Sequence, residues 1–139
     1  MAVELFNKTW DLIDKKDRSH SDDVNMIHSA HASRYHWGIV GEPINWVRGE
    51  WQISRVYSQV SRGEPALYHA QETLDLCKKY DITDFDLAFA YEAMARAYSV
   101  VGDSSKVKEY YDLSAEASRK VVDHGNRDYL LNELKTIKL

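Results

Sequence analysis

The sequence predicts an all-α protein, and three observations carry that prediction. Apolar residues recur at steps of three and four along most of the chain, and no stretch alternates as a half-buried strand would. Only two prolines and six glycines interrupt the pattern. Glycine, proline and the short polar residues cluster between apolar runs, where helices start and stop. At 139 residues the chain suits one domain with its own apolar core. No linker or low-complexity stretch divides it, so residues 1–139 are read as a single helical domain.

The elements follow in order. Val3, Phe6, Trp10 and Ile13 make one face of a first helix from about Ala2 to Lys15. Ser21 is placed as the cap of the second helix, with Asp22 and Asp23 favoured in its first turn. Its expected buried stripe is Val24, Ile27, His31 and Tyr35, and Gly38 and Gly41 end it. Pro43 starts the third helix, which buries Trp46, Ile53, Tyr57 and Val60 and closes at Gly63. Pro65 opens the fourth, with Leu67, Ala70, Leu74 and Cys77 inside.

Thr83 and Asp86 have capping-box spacing before a fifth helix that buries Leu87, Tyr91, Met94, Tyr98 and Val101. Ala88, Ala90, Ala93, Ala95 and Ala97 allow neighbours to approach that helix closely. Gly102 stops it. Asp103 or Ser104 caps a sixth helix with Val107, Tyr110, Leu113, Ala117 and Val121, ended by Gly125. Asn126 caps a last helix carrying Leu130, Leu134 and Ile137. About seven helices joined by short turns make consecutive helices antiparallel neighbours.

Composition excludes some functions. The formal charge is −4, and no Lys/Arg cluster has the density of a nucleic-acid or membrane footprint. No apolar run approaches a membrane span, and Glu4, Lys8 and Asp11 break up any signal-peptide core. A single cysteine, Cys77, favours a reducing compartment, so the expected location is the cytoplasm. No Gly-x-Ser-x-Gly elbow, phosphate loop or dinucleotide fingerprint is present, and no cofactor is expected. Cys77 lies on an apolar stripe without an acid–base partner nearby in sequence and reads as a small core residue.

One segment has a repeat-like pattern. Met94, Ala95, Tyr98 and Gly102 are followed by Val107, Tyr111 and Ser114: small residues for close helix packing, a turn glycine, then a tyrosine to fill the gap. This spacing resembles the tetratricopeptide repeat, a helix–turn–helix unit of about 34 residues. The likeness is best over Leu87–Lys120 and weaker over Ile53–Tyr80, and the turn glycines Gly63 and Gly102 are 39 residues apart. It implies a short array of antiparallel helix pairs with a C-terminal capping helix. It also implies that the first helix of each pair lines a concave groove for a peptide or protein partner. Pro43–Arg62 and Asp84–Val101 would form that lining.

The third helix carries a polar stripe, Asn45, Arg48, Gln52, Arg55 and Gln59, with Trp51 beside it. Such a stripe is ordinarily a solvated face. In a groove its forked donors would suit carboxylates and peptide carbonyls, and Trp51 would add an aromatic platform. The expected function is therefore a non-catalytic binding module using Asn45, Arg48, Trp51, Gln52 and Arg55.

A second reading is a small metal-dependent or acid–base enzyme. His28 and His31 share a helix face, Glu50 stands among apolar residues of the next helix, and Glu92 is a fourth candidate ligand. The simpler alternative makes His31 a core histidine. Glu92 and Arg96 read as an ordinary pair four residues apart. A third reading is a homo-oligomer, such as a homodimer, fed by four tryptophans and nine tyrosines.

Overall fold

The computed structural model describes every residue from Met1 to Leu139. Seven helices and no strands make up the chain: α1 (Ala2–Asp14), α2 (His20–Val40), α3 (Pro43–Gln59), α4 (Gly63–Lys79), α5 (Asp84–Val101), α6 (Ser104–Ser118) and α7 (His124–Leu134). They pack in sequence as antiparallel pairs, α1 with α2, α3 with α4 and α5 with α6. α3 also packs on α5, and α7 lies against α5 and α6. No helix is long and apolar enough to cross a membrane.

The main core joins α3 to α7 through Val47, Trp51, Leu74, Phe89, Met94 and Leu130. Ile13, Met26, Ala30, Ile53 and Val56 form a smaller cluster under α1 and α2. α5 is the central helix. Ala88, Ala90, Ala93, Ala95 and Ala97 are all buried, so neighbours reach its backbone from several sides. Ser114 of α6 comes close enough to donate to the Ala88 carbonyl at 2.8 Å.

The boundaries expected from sequence hold for α1 and α3 at their starts, and several others shift. Ser19, not Ser21, caps α2, and its side chain forms a reciprocal capping box with Asp22. The buried face of α2 is Met26, Ser29, Ala30 and Ser33, whereas Val24 is 36% and Tyr35 70% exposed. The expected stripe is thus rotated: Met26 and Ala30 enter the smaller core cluster, and the small Ser29 and Ser33 fit against α1. Thr9 and Ser29 share a hydrogen bond of 2.8 Å, and Ser33 donates to the Ala2 carbonyl at 2.9 Å.

Gly63 begins α4 instead of closing α3. A Cβ there would stand 2.9 Å from Val101 Cγ2 and 3.1 Å from the Val101 nitrogen, so the glycine permits the end of α5 to pass. Gly102 does stop α5, in the left-handed conformation at φ 96°. Thr83 precedes α5 without a side-chain cap bond, and the Asp86 carboxylate, the other half of the expected capping box, is engaged by Arg48. Asp103 caps α6, as expected, but Asp123 rather than Asn126 caps α7, and Gly125 falls in the first turn of α7. Tyr98 is half-buried, stacked on Tyr110 at 5.7 Å between ring centres. The Cys77 thiol is buried and pushed up to about 12, which makes it an inert core group.

Candidate functional site

The polar stripe of α3 divides on folding. Asn45 serves its own helix: its side-chain oxygen accepts from the Glu42 backbone N–H at 2.9 Å. Arg48 donates from Nε and Nη2 to the two carboxylate oxygens of Asp86, at 3.0 and 3.2 Å. Gln52 is fully buried and donates to the Phe6 carbonyl at 2.9 Å. Arg55 is 12% exposed and bonds Glu133 at 2.9 Å. The expectation of one continuous accessible stripe is corrected. α1, α5 and α7 cover this side of α3, and only part of it stays open.

That part is a cavity of about 430 Å³. Phe6 and Trp10 come from α1, Val47, Arg48 and Trp51 from α3, and Phe85, Asp86 and Phe89 from α5. Gly125, Asn126 and Tyr129 come from α7, and Thr73 alone from an even-numbered helix. Half of its lining residues are aromatic. Trp10 and Trp51 lie 5.3 Å apart between ring centres, Trp51 and Phe89 5.2 Å, and Phe85 and Phe89 4.8 Å. Phe6/Trp10 and Phe85/Phe89 stand four apart on their helices, so each pair points the same way. The Trp51 indole N–H is buried without an acceptor. The bonds to Asp86 hold the Arg48 guanidinium above its ordinary value, and about half of that side chain is exposed. Of the five residues proposed from sequence, Arg48 and Trp51 line this cavity.

A second polar group lies between α2, α3 and α4. Glu50 is buried, and Arg34 Nε and His69 Nδ1 each reach one of its oxygens at 2.7 Å. His31 Nε2 meets the Tyr57 hydroxyl at 2.8 Å. The His31 and His69 rings are 5.4 Å apart, and Tyr57 stacks on His69. His31 and Glu50 do share a cluster, but His69 links them, and that residue was missed. Its place between Ala66, Ala70 and Thr73 on the inner face of α4 was visible in sequence. Its partner was not, because that depends on how α4 docks on α3.

His28 is exposed, and Glu92 is engaged with Arg96 and Arg55 instead. The four candidate ligands His28, His31, Glu50 and Glu92 are therefore not gathered, and no group of three His, Cys, Asp or Glu side chains has metal-holding geometry.

Gly49 makes the Arg34–Glu50 contact possible. A Cβ at that position would lie 2.8 Å from Arg34 Cδ. Gly49→Ala gains roughly 1 kcal/mol of helix propensity, against about 1–3 kcal/mol for overpacking. The expected result is a net loss of up to about 2 kcal/mol, read as a lower urea midpoint at constant slope. A raised midpoint would mean that Arg34 yields freely.

His31 titrates below its ordinary value, first because of burial, then through His69 and His28, with Glu50 opposing. The folded protein therefore holds fewer protons than the unfolded chain as pH falls below about 6.5, where an unperturbed histidine titrates. The stability present above that pH is lost as pH drops toward the depressed folded value. Urea titrations at pH 7.5 and 5.5 should show a steeper loss for the native chain than for His31→Gln. Equal losses would assign the pH dependence to other groups.

Compared with protein-family models, curated proteins and solved structures, the chain matches none. The fold itself defines the class: an all-α protein of seven sequentially packed helices, with an aromatic cavity framed by the odd-numbered ones.

Proposed function

We propose that this chain is a non-catalytic binding module with a tetratricopeptide-like arrangement, gripping an apolar group of a peptide or protein partner in the aromatic cavity. The observation that carries this reading is the origin of the walls: α1, α3, α5 and α7 supply all the lining residues but Thr73. In a helix-pair array the first helices of successive pairs line the concave side, and these are the first three plus the terminal helix. The cavity volume falls within the roughly 300–1,000 Å³ of ligand pockets, and its lining is half aromatic with one charged pair. An acid–base enzyme would rest on His69 and Glu50, yet neither residue lines the cavity.

The four tryptophans allow a direct test. Trp10 and Trp51 line the cavity, while Trp46 donates to the Trp37 carbonyl outside it. Titrating labelled protein with indole should move the indole N–H resonances of Trp10 and Trp51 and leave those of Trp37 and Trp46 in place. Unmoved signals throughout, or shifts confined to Trp37 and Trp46, would refute the assignment of the cavity as the binding site.

A further inference from the structure

Resting on that reading, we infer that the cavity is built for an aromatic carboxylate: a flat ring in the aromatic walls and an anionic group at the free edge of Arg48. Asp86 occupies only one edge of the guanidinium, the one formed by Nε and Nη2. The end-on edge, Nη1 with the second Nη2 proton, has no hydrogen-bond partner among the side chains and carbonyls of the chain. Guanidinium groups accept carboxylates at either edge, so a second one can bind without displacing Asp86. The Asp86 bond fixes the plane of the guanidinium and sustains its charge. Asp86 is buried at the foot of α5, whereas Arg48 is about half exposed. The unused edge is therefore open to a ligand in the cavity that Trp51, Phe85 and Phe89 also line.

The charge pattern distinguishes this ligand class from its neighbours. A cationic ligand would meet the guanidinium of Arg48, and the only acid in the lining, Asp86, is already committed to that group. A neutral aromatic compound would fill the walls and leave the donor edge unused. An aromatic carboxylate satisfies both parts. It can arrive as a free acid or as the C-terminal residue of a peptide, and the chemistry at Arg48 is the same.

The test compares N-acetyl-tryptophan with N-acetyl-tryptophanamide, which differ in the anionic group alone. The whole chain is titrated with each and followed by the Trp10 and Trp51 indole resonances. The acid should bind at least about tenfold tighter than the amide, with an advantage that shrinks as salt is raised. Arg48→Gln should erase that preference while leaving amide binding in place. Should Arg48→Gln fail to fold, the acid–amide comparison on the native chain decides alone. Equal binding of acid and amide would overturn the carboxylate class while the cavity remained a binding site. Failure of acid, amide and indole together would overturn both readings. A short peptide ending in tryptophan separates the sources. Binding as tight as that of the free acid marks a peptide terminus, and exclusion of the peptide marks the free acid.

Discussion

Replacing Glu92 with alanine should destabilise the protein by about 3–5 kcal/mol, the cost of removing one partner from a buried ion pair. Glu92 is 1% exposed, and Arg96 reaches it at 3.3 Å and Arg55 at 4.0 Å. Both arginines are themselves largely buried. Burial already pushes the Arg96 guanidinium below its ordinary value, and Glu92 is the largest influence opposing that shift. Without Glu92, two cations remain in a poorly solvated site with Glu133 as the remaining acid. Arg96 also holds the Glu133 carbonyl and Thr136, so its displacement should loosen the C-terminal end of α7 first. A urea titration reads the total, and amide exchange along α7 locates it. A loss below about 1 kcal/mol would mean that the arginines find water and that the network contributes little.

Glu50→Ala should cost somewhat less, about 2–4 kcal/mol. The carboxylate is buried and shared by Arg34 and His69, one oxygen each. Its loss leaves both donors without an acceptor at the junction of α2, α3 and α4. Arg34 is a quarter exposed and recovers part of its solvation, which places the cost below that at Glu92. Glu50→Gln separates charge from shape: it should recover part of the loss, because an amide oxygen still accepts one of the two bonds. Glutamine and alanine variants of equal stability would show that charge, not hydrogen bonding, holds the junction. The same stability in all three chains would remove Glu50 from the structural account altogether.

Much of the architecture was legible because helical periodicity and turn chemistry are local. The alanine run of α5 announced a helix approached from several sides, and Gly102 marked its end through a conformation that glycine adopts readily. The same local logic failed where capping choices compete. Ser19 and Ser21 offer similar hydroxyls, and the reciprocal bond with Asp22 decided for Ser19. Thr83 and Asp86 had the spacing of a capping box, yet Arg48, 38 residues away, claimed the carboxylate. On α2 the largest apolar residues looked inward by sequence, but close contact with α1 favoured Ser29 and Ser33.

The candidate site divides in the same way. Arg48 and Trp51 were visible as polar and aromatic members of one helix, and the pairs Phe6/Trp10 and Phe85/Phe89 share faces by spacing alone. That these faces meet around one cavity depends on α1, α5 and α7 converging on α3, which no local pattern encodes. The sequence by itself determined an all-helical chain, its number of helices and some of their ends, since each rests on interactions within a few residues. Only the tertiary structure decided that Gln52 and Arg55 are covered while Arg48 stays open. It alone joined His69 to Glu50 and set Glu92 between two arginines. Those outcomes follow from the rotation of each helix about its axis, which is set by the packing of all its neighbours at once.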